Sequence, residues 1–223
     1  TLPHKTAIMA YCTSCDETAM AVGAANTIMI DIVGRLHASN SDVYGFLQHL
    51  KTSWPGFGDC DKAALIIGAG GAARAAVYAL LSAGWRDIRI VNRTAHKAKA
   101  LAHEFGIVQK NWDDIAQILP ETGLLVNTTT LGMYGHSDPD IDVALMPEDA
   151  GVYDIVYRPL ETTLLVNARA NGLVAVDGLG MLIQQAKPGF MRWYGVEPAI
   201  DDALMDKLYA APGIAQNNRR EFS

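Results

Sequence analysis

The sequence predicts an α/β protein: a parallel sheet with helices on both faces, and a partial α/β segment near the start completed by helices near the end. Three observations predict it. Short apolar runs alternate with alanine- and leucine-rich segments through the middle of the chain. Half of the 223 residues are hydrophobic and 19% are charged, a composition able to bury a core. The joining stretches are short, polar or rich in glycine, so successive runs read as β-α-β units.

The elements follow in order. "NTIMID" and "GRLHAS" are short strand candidates after a helix-like start. "KAALIIGAG" reads as a buried strand bounded by glycines, and "AARAAVYALLSAG" as a helix with Gly84 at its end. "DIRIVN" is the next strand, and "TAHKAKALAHEFG" a helix with Thr94 as N-cap and Gly106 as stop. A helix near "WDDIAQIL" leads to the strand "GLLVNT" and the polar loop "LGMYGHSDPDID". "GVYDIVY", "ETTLLVNARANG" and "LVAVDG" read as strand, helix and strand. "MLIQQAKPGFMRWYG" and "IDDALMDKLYA" are helices, and "AQNNRREFS" is a polar, frayed tail.

Composition excludes several classes. The net charge is -6 with no basic stripe, which argues against nucleic acid. No run reaches the ~18 apolar residues of a membrane span, and no signal-peptide pattern opens the chain. The expectation is a cytoplasmic protein, monomer or homodimer, with a small-molecule substrate. Cys12 and Cys15 form "CTSC", but a structural zinc site wants four ligands and only Cys60 and scattered histidines remain. The pair reads as reduced thiols on a helix, with no metal.

"GAGGAA" fits G-x-G-x-x-G/A, with Ala73 in the last place. Gly68 permits the tight turn. Gly70, with Gly71 and Ala72 beside it, lets backbone approach a diphosphate at a helix N-terminus. The turn follows a strand, opens a helix and precedes a second strand, the context of a Rossmann-like dinucleotide site. That second strand ends in Asn92, Arg93 and Thr94, with no carboxylate to take a ribose hydroxyl. Arg93 suits a 2′-phosphate, so the expected cofactor is NADP. Thr128 and Thr129 follow another strand end, at the ligand edge of such a sheet.

"TLPHK", "GAANT", "NSD", "GAGGAARAAVYAL", "NRT", "NTTTLGM", "DIVYRPLETTLL" and "DGLGMLIQQA" occur in this order. The ordered set resembles the shikimate dehydrogenase family, including its quinate-using members, over nearly the whole chain. The resemblance implies a substrate domain over residues 1–43, a Rossmann-like NADP domain over 44–177, and helices over 178–223 returning to the substrate domain. It implies reversible reduction of 3-dehydroshikimate to shikimate, on the route to chorismate and the aromatic amino acids. The matching catalytic pair is Lys5 and Asp42. Asn26, Tyr157 and Gln185 match substrate contacts, and Ile155 and Gly178 match positions lining the nicotinamide. Met133 and Met181 read as packing residues, with contact to the cofactor as the alternative for either. The chemistry suits the pair: hydride arrival at a carbonyl creates an alkoxide, which a lysine held by a carboxylate can protonate.

The departures are specific. The family's substrate domain begins well upstream and includes a serine pair that holds the substrate carboxylate. The resemblance therefore implies a fragment with an exposed strand edge. "NSDVYG" places Ser41 and Val43 where the family has threonine and glycine, and "NTTTLGM" stands for "NATPLGM". These imply slower turnover or a shifted substrate. The alternatives are a quinate/shikimate dehydrogenase tolerating NAD, a ligand-binding regulatory module without turnover, and an inactive fragment that still binds nucleotide.

Overall fold

The computed structural model describes residues 3–58 and 61–211. Cys60 and the tail "AQNNRREFS" lie outside them. In chain order the strands are β1 (Ser14–Cys15), β2 (Thr27–Ile30), β3 (Leu36–Ser39), β4 (Ala63–Ile67), β5 (Ile88–Val91), β6 (Val108–Gln109), β7 (Thr122–Asn127), β8 (Gly151–Asp154) and β9 (Val174–Val176). The helices are α1 (Glu17–Val22), α2 (Asp42–Ser53), α3 (Gly71–Ser82), α4 (Ala95–Phe105), α5 (Ile115–Ile118), α6 (Thr163–Ala170), α7 (Leu179–Tyr194) and α8 (Asp202–Tyr209).

Six strands form one parallel sheet in the order β6-β5-β4-β7-β8-β9. The expected α/β class is therefore found. The chain enters at β4, runs outward to β6, then crosses back to β7. The strand order thus reverses between β4 and β7, and ligands of such sheets bind beyond the strand ends at that point. Both central strands are buried throughout, as strands covered on two faces must be. Ala64 and Ile66 pack on the α2, α3 and α7 side; Leu65 and Ile67 pack on the α5 and α6 side. Each fully buried isoleucine or leucine contributes roughly 1.5–3 kcal/mol.

A smaller sheet, β1-β3-β2, pairs β1 with β3 parallel and β2 with β3 antiparallel. Ile30, Ile32 and Val33 at its edge are exposed. Two helices bridge the sheets. The expected boundary at 43/44 falls within the first turn of α2, and that at 177/178 falls just before α7. The two helices cross closely: a methyl at Gly45 would stand 2.6 Å from the Gln185 Cβ, and one at Gly180 would overlap the His49 ring. α2 also locks onto the large sheet. Phe46 lies 4.8 Å from the Tyr153 ring, and the Tyr153 hydroxyl is 2.9 Å from His49 Nδ1.

Two expectations need correction. "CTSC" is not helical: Cys12 follows a 3-10 turn and Cys15 lies in β1, opposite Ala38 of β3. The segment near "WDDIAQIL" is a single α-helical turn between two 3-10 turns. Thr94 is the N-cap residue of α4 as expected, though its side chain makes no capping bond. The helix over Pro188 does continue unbroken to Tyr194. Among the described residues, no helix is long and apolar enough to cross a membrane.

Candidate active site

Lys5 and Asp42 meet. Their Nζ and Oδ2 atoms are 2.5 Å apart, with side chains 14% and 4% exposed. Local structure explains the placement. Lys5 is held by its carbonyl, which accepts from Ala25 N at 2.7 Å. Asp42 opens α2, where the helix dipole favours a carboxylate. Asn40 Oδ1 accepts from Asp42 N at 2.9 Å, and Asn40 Nδ2 donates to Ala24 O at 2.7 Å. Asn40 therefore ties Asp42, and the Ala25 amide ties Lys5, to the segment after α1.

Asn26 completes the cluster. Its amide nitrogen reaches Asp42 Oδ1 and Gln185 Oε1 at 2.9 Å and Ser41 Oγ at 3.0 Å. One NH2 group has two protons, so it serves two of these acceptors at a time. Its oxygen accepts from Ser41 N. Lys5, Asp42, Asn26, Gln185 and Tyr157 all line one cavity of about 250 Å³, closed by Ala72, Ile155, Gly178, Met181 and Leu182. Val43, where the family has glycine, lies in α2 and packs into the main core. Helical backbone is open to valine, so the substitution is absorbed.

Ala72, Ile155 and Tyr157 also wall a second cavity, of about 560 Å³. Gly70, Gly71, Thr128, Thr129, Thr130 and Met133 line it too. A third, of about 530 Å³, shares Thr129 and Thr130 and contains Asn92 and Arg93. The three cavities run along the carboxyl edge of the sheet, across the β4–β7 crossing. Gly68 lies beneath this edge rather than on a cavity wall. Its φ of +111° and a methyl position 2.5 Å from Thr128 Oγ1 both exclude a side chain. A methyl at Gly70 would meet nothing within 4 Å, and the first turn of α3 has no side-chain cap. Backbone N–H groups are thus presented to open space, the arrangement that binds phosphate. Gly71 faces Lys5: a methyl there would lie 3.3 Å from the lysine Cβ and Cδ. Thr94 lies off the cavity walls, its carbonyl accepting from Asn92 Nδ2 at 3.0 Å.

Asp154 holds the cavity edge from behind. It is fully buried and accepts from Asn127 Nδ2, Val156 N and Thr162 Oγ1 at 2.8–3.0 Å. Burial outweighs these donors and raises its pKa to about 6. Native protein then keeps this proton where the unfolded chain loses it, so the contribution is complete below about pH 4 and is lost as pH rises through 6. The stability advantage of wild type over Asp154→Asn, measured by urea unfolding, is expected to shrink by about 2 kcal/mol between pH 4 and 7. A pH-independent difference would contradict this.

Sequence reasoning missed several wall residues. Tyr134 and Arg158 line the second cavity. Trp112, His136, Asp138 and Asp140 line the third. The loop "LGMYGHSDPDID" carried no periodicity, and only its position after a strand end pointed to the ligand edge. Met181 packs in the main core as expected and also reaches the first cavity, and Met133 lines the second.

The same fold has known relatives. The family model for shikimate/quinate 5-dehydrogenase matches residues 56–134. The shikimate dehydrogenase (NADP(+)) of Brucella abortus is 46% identical over 215 residues, covering 94% of this chain and 74% of that one. The chain belongs to the shikimate dehydrogenase family. It is thus an oxidoreductase by descent. A quinate dehydrogenase from Corynebacterium glutamicum, solved with NAD, superposes with a TM-score of 0.86 at 30% identity, over 95% of this chain and 76% of that one. Shikimate 5-dehydrogenase from Thermus thermophilus, solved with NADP(H) and shikimate, gives 0.79 at 37% identity, over 93% and 75%. Membership of the shikimate dehydrogenase family accounts for the ordered motifs from the lysine turn to α7.

Proposed function

We propose that this chain interconverts shikimate and 3-dehydroshikimate with NADP(H). The observation that carries the reading is the Lys5–Asp42 pair, set in a cavity whose wall is shared with the glycine turn. The reading divides the chain into a substrate segment over 1–43, a nucleotide segment over 44–177 and returning helices over 178–223. The residues fit the cofactor: Gly70 and the uncapped turn of α3 suit a diphosphate, and Arg93 suits a 2′-phosphate. When bound, NADPH supplies the hydride. Lys5 holds a proton at Nζ and delivers it to the carbonyl oxygen as that oxygen gains charge. Asp42 keeps the ammonium aimed, and Asn26 keeps Asp42 in place. Asn26, Gln185 and Tyr157 offer donors and acceptors to substrate hydroxyls. Ile155 and Gly178 give the nicotinamide an apolar wall.

Purified protein is expected to reduce NADP in the presence of shikimate, followed by absorbance of the reduced dinucleotide. No turnover with shikimate and either dinucleotide would overturn the proposal.

A second reading, tolerance of NAD, is favoured by Asp138 and Asp140. They share the Arg93 cavity, and carboxylates accept from a ribose hydroxyl while repelling a 2′-phosphate. Arg93→Ala is expected to lower kcat/KM for NADP by about 10- to 100-fold, the worth of a charge-assisted hydrogen bond. NAD should change by less than about twofold, since it lacks that phosphate. Equal losses with both dinucleotides would show that Arg93 does not read it.

A further inference from the structure

We propose that Arg74 and Glu104 form a positioning clamp that fixes the Lys5–Asp42 pair against the nucleotide helix. This rests on the function proposed above. Arg74 stands in α3, one turn beyond Gly71, and its side chain is 16% exposed. It points away from all three cavities described above, toward the end of α1. Its Nε donates to Val22 O at 2.5 Å. Its two terminal nitrogens fork onto the Glu104 carboxylate of α4, with Nη1 to Oε2 at 2.8 Å. Its Cζ lies over the Phe105 ring, 5.3 Å from the ring centre. Gly23 comes directly after Val22, and a methyl there would strike the guanidinium.

The grip matters because the next residues carry the catalytic pair. Ala24 O receives Asn40, which holds Asp42 N, and Ala25 N holds Lys5 O. Both members of the pair are therefore suspended from two adjacent residues just beyond the clamped carbonyl. The glycine turn begins the helix that carries Arg74. The clamp thus sets the distance between the proton donor and the nucleotide turn, the quantity on which a near-attack geometry depends. A guanidinium suits this role because it is planar, bonds on two edges and stacks on a ring at once, whereas an ammonium is a point charge.

The test uses Arg74→Ala and, since that variant could lose its fold, the milder Glu104→Gln, which breaks the fork and keeps the Val22 bond. Arg74→Ala is expected to lower kcat by about 10- to 100-fold while the NADPH Kd stays within about twofold. The primary deuterium isotope effect on kcat should rise as hydride transfer becomes limiting. Glu104→Gln should lower kcat by about threefold at an unchanged Tm, and Arg74→Lys should recover part of the loss. Hydrogen exchange at the Ala25 amide should speed up in both Arg74→Ala and Glu104→Gln. That readout needs no turnover, so it separates failure of the clamp from failure of the proposed reaction. Unchanged kcat and unchanged Ala25 exchange in Glu104→Gln would overturn the clamp. So would a parallel loss of kcat, NADPH affinity and Tm in Arg74→Ala.

Discussion

Lys5→Ala is expected to lower kcat by about a thousandfold, the scale of a lost general acid, while NADPH still binds. The structure adds a stability term. Asp42 is 3% exposed, and removing the lysine leaves its carboxylate buried without a cation, at a cost on the order of 3 kcal/mol. The double variant Lys5→Met with Asp42→Asn removes both charges. It should recover most of that stability and none of the rate, because residues acting as a unit are not additive. Steady-state kinetics and thermal unfolding of the single and double variants decide the matter. A double variant slower than Lys5→Met by the full factor seen in Asp42→Asn would mean that the two act independently.

The second large effect is expected at Gly178. A methyl there would overlap the Ile155 carbonyl and stand 2.8 Å from Val156 O. Both obstacles are backbone at the end of β8, so neither can swing aside as a flexible side chain would. Gly178→Ala should cost about 3 kcal/mol and lower Tm by roughly 10 °C. It should also raise KM for both ligands, because Ile155 and Tyr157 wall both cavities. Gly70→Ala is the contrasting case. Its methyl meets nothing in the protein, so Tm should hold while cofactor KM rises. If Gly178→Ala melted like Gly70→Ala, the strand end would be softer than the packing implies.

The nucleotide half was legible because its signals are local. A buried run, a glycine turn and a helix occur within consecutive residues from Ala63 to Ser82. The Lys5–Asp42 contact was not legible from spacing, since it closes over 37 positions; only the resemblance pointed to it. α2 escaped notice because it is buried against α3, α7 and Tyr153 together, which blurs a one-sided stripe. Gly45, required by the crossing with Gln185, further lowers its helix propensity. β1 and β6 have two residues each, too few to show a period. β1 exists only by pairing with β3, more than twenty positions on, and that partner cannot be read from "CTSC".

Gly71 is answerable to a ligand and to a neighbouring side chain at once. One side of it borders the nucleotide cavity, and the other carries the aliphatic stem of Lys5. A loop transplanted from another dinucleotide-binding protein could satisfy the first demand and still displace Lys5. Cofactor redesign therefore has little latitude at the turn. Its latitude lies at the far end, around Arg93, Asp138 and Asp140, where side chains can be exchanged without touching the lysine.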